Sequence, residues 1–101
     1  MLARLASLSQ QANLPYASAS VRAAKTRWGS CSSQKKIMLN VKLLFLPQEL
    51  VDYVMLHELC HTVHMNHAPQ FWQLLARVNP ACQMLRKQLN QANAYIPSIL
   101  Y

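Results

Sequence analysis

Two histidines four residues apart, with a glutamate directly after the first, commit the middle of this chain to a helix. The segment is His57-Glu58-Leu59-Cys60-His61-Thr62-Val63-His64-Met65-Asn66-His67, and it holds all four histidines of the chain. Residues i and i+4 share a helix face, one turn apart. An H-E-x-x-H segment therefore aims two imidazoles at one metal ion when it is helical. Glu58 then stands beside the metal, placed to take a proton from a metal-bound water. A chain built around such a segment needs a cleft on one helix face and a core against the other.

His67 is the expected third ligand. The spacing His57, His61, His67 matches the ligand positions of the metzincin pattern H-E-x-x-H-x-x-G-x-x-H. His64 occupies the glycine position of that pattern, and no methionine turn follows. The spacing carries over and the metzincin family does not. His64 itself lies three residues after His61 and seven after His57, nearly in line with both on a straight helix. A row of three along one helix chelates poorly unless the helix breaks. His64 is therefore expected as a solvated or turn residue. The bland alternative, four surface histidines without a metal, fits poorly with so complete a motif.

The flanking sequence predicts the frame. Leucines at 2, 5 and 8 predict a short amphipathic helix from Leu2 to Gln11, ended by Asn13-Leu14-Pro15. Ser18 to Lys25 predicts a strand, Trp28-Gly29-Ser30 a bend around the one glycine, and Ser32 to Lys35 a polar turn. A second strand is expected from Ile37 to Val41. Pro47 suits the first turn of the motif helix, with Glu49 and Asp52 near its positive end, and that helix is expected to reach about His64. Leu56, Cys60 and Val63 form its core stripe. Ala68-Pro69 opens a further helix that buries Phe71, Leu74, Leu75 and Val78, with Phe71 and Trp72 as core and wall. Asn79-Pro80 reads as the cap and first position of a last helix, to about Gln91. The apolar tail from Ile96 to Tyr101 has no assignment.

Composition removes several classes. Apolar residues make up 52% and charged residues 13%, which argues against disorder. The low charge fraction predicts apolar surface covered by a further segment or a partner. The longest apolar cluster, Leu43-Leu44-Phe45-Leu46, falls far short of the roughly 20 residues that span a bilayer, and no secretory signal is recognisable at the N-terminus. Three cysteines without C-x-x-C pairs read as reduced thiols of a cytoplasmic protein. Cys60 and Cys31 are both expected as packing residues. Seven cations precede the first acid, Glu49, so the basic half can contact nucleic acid or simply solubilise the chain.

Further stretches carry a family likeness. Lys25-Thr26-Arg27-Trp28-Gly29-Ser30-Cys31-Ser32, Ile37-Met38-Leu39-Asn40, Tyr53-Val54-Met55-Leu56-His57-Glu58-Leu59-Cys60-His61, and Asn66-His67 with Phe71-Trp72 follow one another through about half of the chain. In this set the chain resembles the YgjP-like zinc metallopeptidase domain, related to the SprT-like and WLM zincins. The resemblance implies zinc bound by His57, His61 and His67, with Glu58 as catalytic acid. Members are usually longer at the N-terminus, so by this resemblance the chain is expected to be a short homologue or a core fragment. Ala68 stands where the family often has serine, weakening a helix cap.

The expected fold is one α+β, zincin-like domain over residues 1–101. A short antiparallel sheet packs on the motif helix, and further helices follow. The expected activity is zinc-dependent hydrolysis of a peptide or protein. Three neutral imidazoles hold the ion, and Glu58 relays the proton of its water to the leaving amine. Substrate is expected along an exposed strand edge, taken as Ile37 to Val41 by analogy with zincins. No oxyanion donor stands out among Tyr53, Tyr95 and Arg86. With only Glu49 and Asp52 as other carboxylates, histidine orientation is expected to rest on backbone carbonyls. The competing reading is a non-catalytic, basic zinc module associated with nucleic acid, or a SprT-like protease acting on DNA-bound proteins. Glu58 discriminates, since a structural site has no use for it.

Overall fold

A computed structural model describes residues 1–92; Tyr95 and the tail 96–101 lie outside the described residues. Helix α1 spans Leu2–Ala12 and buries Leu5 and Leu8. It stops at Asn13, whose φ of 56° is a left-handed conformation that asparagine tolerates better than most residues.

Three short strands follow: β1 (Ser18–Arg22), β2 (Gly29–Cys31) and β3 (Lys36–Asn40). Their order is β1-β3-β2, with β1 parallel and β2 antiparallel to β3. The sheet is therefore mixed, not wholly antiparallel as expected. The cause is the crossover 23–28, which carries the chain past the end of the sheet and leaves a slot that β3 fills. Asn40 fastens this crossover. It is fully buried, its Nδ2 donates to the carbonyls of Ala24 and Arg27 (2.9 and 2.8 Å), and its Oδ1 accepts from Lys42 N (3.0 Å). All its polar groups are met, as burial demands.

Two expectations about this sheet are overturned. The Ile37 strand is the centre of the sheet, not its edge. Gly29 opens strand β2 rather than sitting in a bend. Strand pairing alternates inward and outward backbone groups. Trp28 O accepts from Asn40 N and Ser32 N donates to Lys36 O, so Gly29 and Cys31 turn their backbone groups away from β3.

After a 3₁₀ segment, Val41–Phe45, helix α2 runs Gln48–Cys60 with Pro47 as its cap. Ten of its residues are buried: Leu50, Val51 and the unbroken run Tyr53 to Cys60. It is the hub of the molecule, packed against α1, the sheet and both later helices. Each fully buried aliphatic side chain there contributes on the order of 1.5–3 kcal/mol. The helix ends one turn before the expected His64. Beyond Cys60 the backbone tightens into i→i+3 bonds, Thr62 N to Leu59 O (3.0 Å) and Val63 N to Cys60 O (3.1 Å). Val63 consequently leaves the core stripe and is 56% exposed, whereas Cys60 is buried as expected.

Helix α3 spans Pro69–Val78, starting at Ala68-Pro69 and burying Phe71, Leu74 and Leu75 as predicted, while Val78, expected on the same face, is only partly buried. Ala68 supplies no side-chain cap. The last helix, α4, is Cys82–Gln91, capped by Ala81. Asn79 does not cap it: it closes α3, and its carbonyl accepts from Cys82 N at 3.0 Å. Among the described residues no helix is long and apolar enough to cross a membrane.

Candidate metal centre

The last turn of α2 carries the first two histidines. His57 is 1% exposed and His61, which closes the helix, is 8% exposed. The break after Cys60 swings residues 61–68 back over the helix end, bringing His67 to the same point. The three Nε2 atoms lie 3.3 Å (His57–His61), 3.1 Å (His61–His67) and 3.2 Å (His57–His67) apart. Tetrahedral nitrogen donors about 2.0–2.1 Å from zinc are separated by roughly 3.3–3.4 Å. The triad therefore has the dimensions of a three-imidazole metal site, and these three residues form the one group of its kind among the described residues.

The ring chemistry agrees. His61 Nδ1 donates to the backbone carbonyl of His64 at 3.0 Å, which leaves the Nε2 lone pair facing the triad. The expectation that backbone carbonyls orient the histidines holds here. His64 thus serves the site through its carbonyl, while its half-buried side chain stays outside the triad. Burial pushes the His57 pKa down to about 2, helped by His61, His67 and the Arg86 charge. His61 is lowered chiefly by burial, and His67 by burial and Arg86. Neutral imidazoles with available lone pairs are the form that binds a cation.

Phe71 forms the floor. It is fully buried, stacks on His61 (4.4 Å between centroids, 29° between planes) and meets His57 and His67 edge-on at 4.9 and 5.0 Å. Trp72 forms the wall, stacked on His67 at 5.6 Å and 28°. Its indole Nε1 donates to the His67 carbonyl at 3.1 Å. The pair Phe71-Trp72 reads as core and wall in the sequence, and it is; the hydrogen bond to His67 is not legible there.

Glu58 is 2% exposed and faces β2. A methyl group placed on Gly29 would stand 3.2 Å from Glu58 Cγ, 3.3 Å from its Oε2 and 3.0 Å from the Met38 carbonyl oxygen. The one glycine of the chain is thus required by space, since its backbone lies outside the left-handed region. Its closeness to Glu58 was missed in the sequence, although glycine within W-G-S-C was a usable signal of close backbone approach. Cys31 lies on the same face of β2. Burial first, and then the Glu58 charge, push its thiol up to about 11, which fits packing rather than reactivity. The Tyr53 hydroxyl is buried without a hydrogen-bond partner among the described residues. Of the cations of the N-terminal half, Arg22, Lys25, Arg27, Lys35 and Lys36 are exposed, and Arg4 is bound to Asp52.

A family model, the YgjP-like metallopeptidase domain, matches residues 1–92. No curated protein matches the chain. Two metallopeptidase zymogens are among the solved structures that resemble it. The metallopeptidase zymogen abylysin of Pyrococcus abyssi shares 19% identity at a TM-score of 0.81, over 95% of this chain and 98% of its own. The metallopeptidase zymogen jannalysin of Methanocaldococcus jannaschii shares 22% at 0.73, over 87% and 91%. At such identities the likeness shows the fold, which is zincin-like.

Proposed function

The chain belongs to the YgjP-like metallopeptidase family, and from that premise we propose that it hydrolyses peptide bonds with one zinc ion held by His57, His61 and His67. Membership makes it a metal-dependent peptidase acting on peptides or proteins; the zinc, its ligands and the role of Glu58 are our reading. The observation that carries this reading is the convergence of three Nε2 atoms within 3.1–3.3 Å of one another. We take residues 1–101 as one such domain.

Zinc bound there supplies Lewis acidity to the attacking water and the scissile carbonyl. The residues do the rest. Glu58 takes the proton of the attacking water and returns it to the leaving nitrogen. Its neighbours fix its reach: β2 lies against it at Gly29, and α2 holds its backbone one residue from His57. Burial keeps the imidazoles neutral and keeps bulk water from competing for the carboxylate. An extended substrate would pair along the β2 side turned away from β3, where Cys31 presents backbone groups beside Glu58. Strand β2 replaces β3 in this role because β3 is flanked on both sides.

The non-catalytic zinc module fits less well. Closed structural sites use four protein donors, usually with cysteine, and here three histidines converge while Cys31, Cys60 and Cys82 stay outside the group. Three free cysteines accord with a reducing compartment, and we place the chain in the cytoplasm on that ground.

Elemental analysis of protein purified without added metal, paired with cleavage of a peptide library, tests the reading. About one zinc per chain is expected. Glu58→Gln should keep the zinc and lose about 10²–10⁴-fold in rate. A Glu58→Gln protein that cleaves like wild type would remove Glu58 from the mechanism. Zinc retained undiminished in His67→Ala would remove His67 from the ligand set.

A further inference from the structure

His57 and His61 sit on a buried helix, but His67 sits on an exposed loop with no regular structure of its own. Something must hold it. We propose that Trp72 is the positioning residue that delivers His67 to the metal, an inference that rests on the zinc reading above. Two separate attachments run from this one side chain to His67. The indole N–H fixes the peptide plane through the His67 carbonyl (3.1 Å), and the indole face fixes the imidazole plane by stacking at 28°. One bond alone would leave the ring free to turn, and one stack alone would leave the backbone free to slide.

Trp72 is itself held. It lies in the first turn of α3 beside Phe71, which is fully buried beneath all three histidines. The Arg86 guanidinium from α4 lies 4.7 Å from the centre of the Trp72 ring, a cation–π contact. The indole is thus a rigid link between the α3–α4 pair and the loop. With the loop already ordered, metal binding need not order it, and the site is stronger by that amount. Outer contacts of this kind typically change metal affinity about 10–100-fold.

The test is zinc affinity, measured by competition with a chromophoric chelator on metal-free protein, beside the metal-free Tm. Trp72→Phe keeps a stacking ring and loses the N–H; about tenfold weaker binding is expected. Trp72→Ala loses both, and about a hundredfold is expected. Leu74→Ala, a buried position of the same helix, should lower Tm at least as much and leave zinc affinity within about twofold of wild type. If both Trp72 variants bind zinc like wild type, the positioning role is wrong while the triad stands. If Leu74→Ala weakens zinc as much as Trp72→Ala, the effect belongs to α3 stability and the proposal falls. Wild-type protein that takes up no zinc would overturn the triad reading and this proposal together. Should Trp72→Ala fail to fold, Trp72→Phe decides alone.

Discussion

The two halves of the candidate metal centre are built on opposite principles. His57 and His61 belong to the end of the most buried helix among the described residues, which packs against the sheet and the three other helices. Their placement is fixed by the same packing that makes the core, and it costs nothing further to order. His67 stands in an exposed loop, where it meets the edge of Phe71 and takes two contacts from a single tryptophan. One half of the site is a consequence of folding; the other is an attachment to it. Loss of a helix histidine should therefore be felt by the fold, and loss of the loop histidine by the metal alone.

Substitution of the histidines in metal-free protein breaks this comparison most directly. His57→Ala leaves a hole against Tyr53 and Phe71, and a cost of about 2–4 kcal/mol is expected, as for other large-to-small core changes. His67→Ala should cost no more than about 0.5 kcal/mol, like other exposed substitutions. Both should abolish zinc uptake. Equal destabilisation of the two metal-free variants in urea titrations would show that the loop is as much a part of the core as the helix.

Gly29→Ala sharpens the helix side. The added methyl meets a backbone oxygen at 3.0 Å, which cannot swing away, and the Glu58 side chain at 3.2 and 3.3 Å, which can. Glu58 is expected to yield. Overpacking should cost about 1–3 kcal/mol, and displacement of the carboxylate by a few tenths of an ångström or more should lower kcat about 10–100-fold. KM and zinc affinity should hardly move. A drop in zinc affinity in step with kcat would mean that the strain reaches the histidines, and that Gly29 does not act through Glu58.

The same division decides what the sequence could show. The H-E-x-x-H helix, the core leucines 5 and 8 of α1 and the start of α3 at Ala68-Pro69 follow from local periodicity and capping, and stand where the pattern put them, whereas Leu2 of the same leucine row is exposed. The spacing also anticipated that His67 would come beside His57 and His61, as it does. The end of α2 was not: no glycine or proline marks residues 61–64, and the break is favoured by what it brings together, His67 and the His64 carbonyl at the triad. Strand β2 was hidden because three residues, Gly-Ser-Cys, are too short to show alternation. Its pairing is set by β3, six to ten residues on, and its glycine by Glu58 on another element. The parallel β1–β3 pairing depends on the buried Asn40 bonds to the crossover, which no local pattern announces. Trp72 looked like packing because its hydrogen bond runs to a backbone carbonyl that only the loop geometry supplies.

The smallest effect expected lies at the far end of α2. Arg4 grips Asp52 through two bonds, Nε to Oδ1 (2.9 Å) and Nη2 to Oδ2 (2.6 Å), and Gln48 adds a third at 2.8 Å. Burial alone would raise the Asp52 carboxyl, but these bonds and the Arg4 charge hold it below its ordinary 3.8. Both ends of the helix thus respond to acid, in different windows. The histidines are held neutral when folded, so the unfolded chain binds more protons once pH falls below 6.5. Metal-free stability should be full above that value and decline as pH falls through it, continuing toward the folded pKa of about 2 for His57. The Asp52 contribution is present above its unfolded value near 3.8 and is lost only below it. It should be small, because the pair is solvent-screened, with 44% of the Arg4 side chain exposed. Urea unfolding of metal-free protein from about pH 8 to about pH 3 separates the two windows. Asp52→Asn should lie slightly below wild type and parallel to it through the histidine range, then converge with it in acid. A slope in that range altered by Asp52→Asn would mean that the two ends of α2 titrate as one unit, and the contrast between them would be lost.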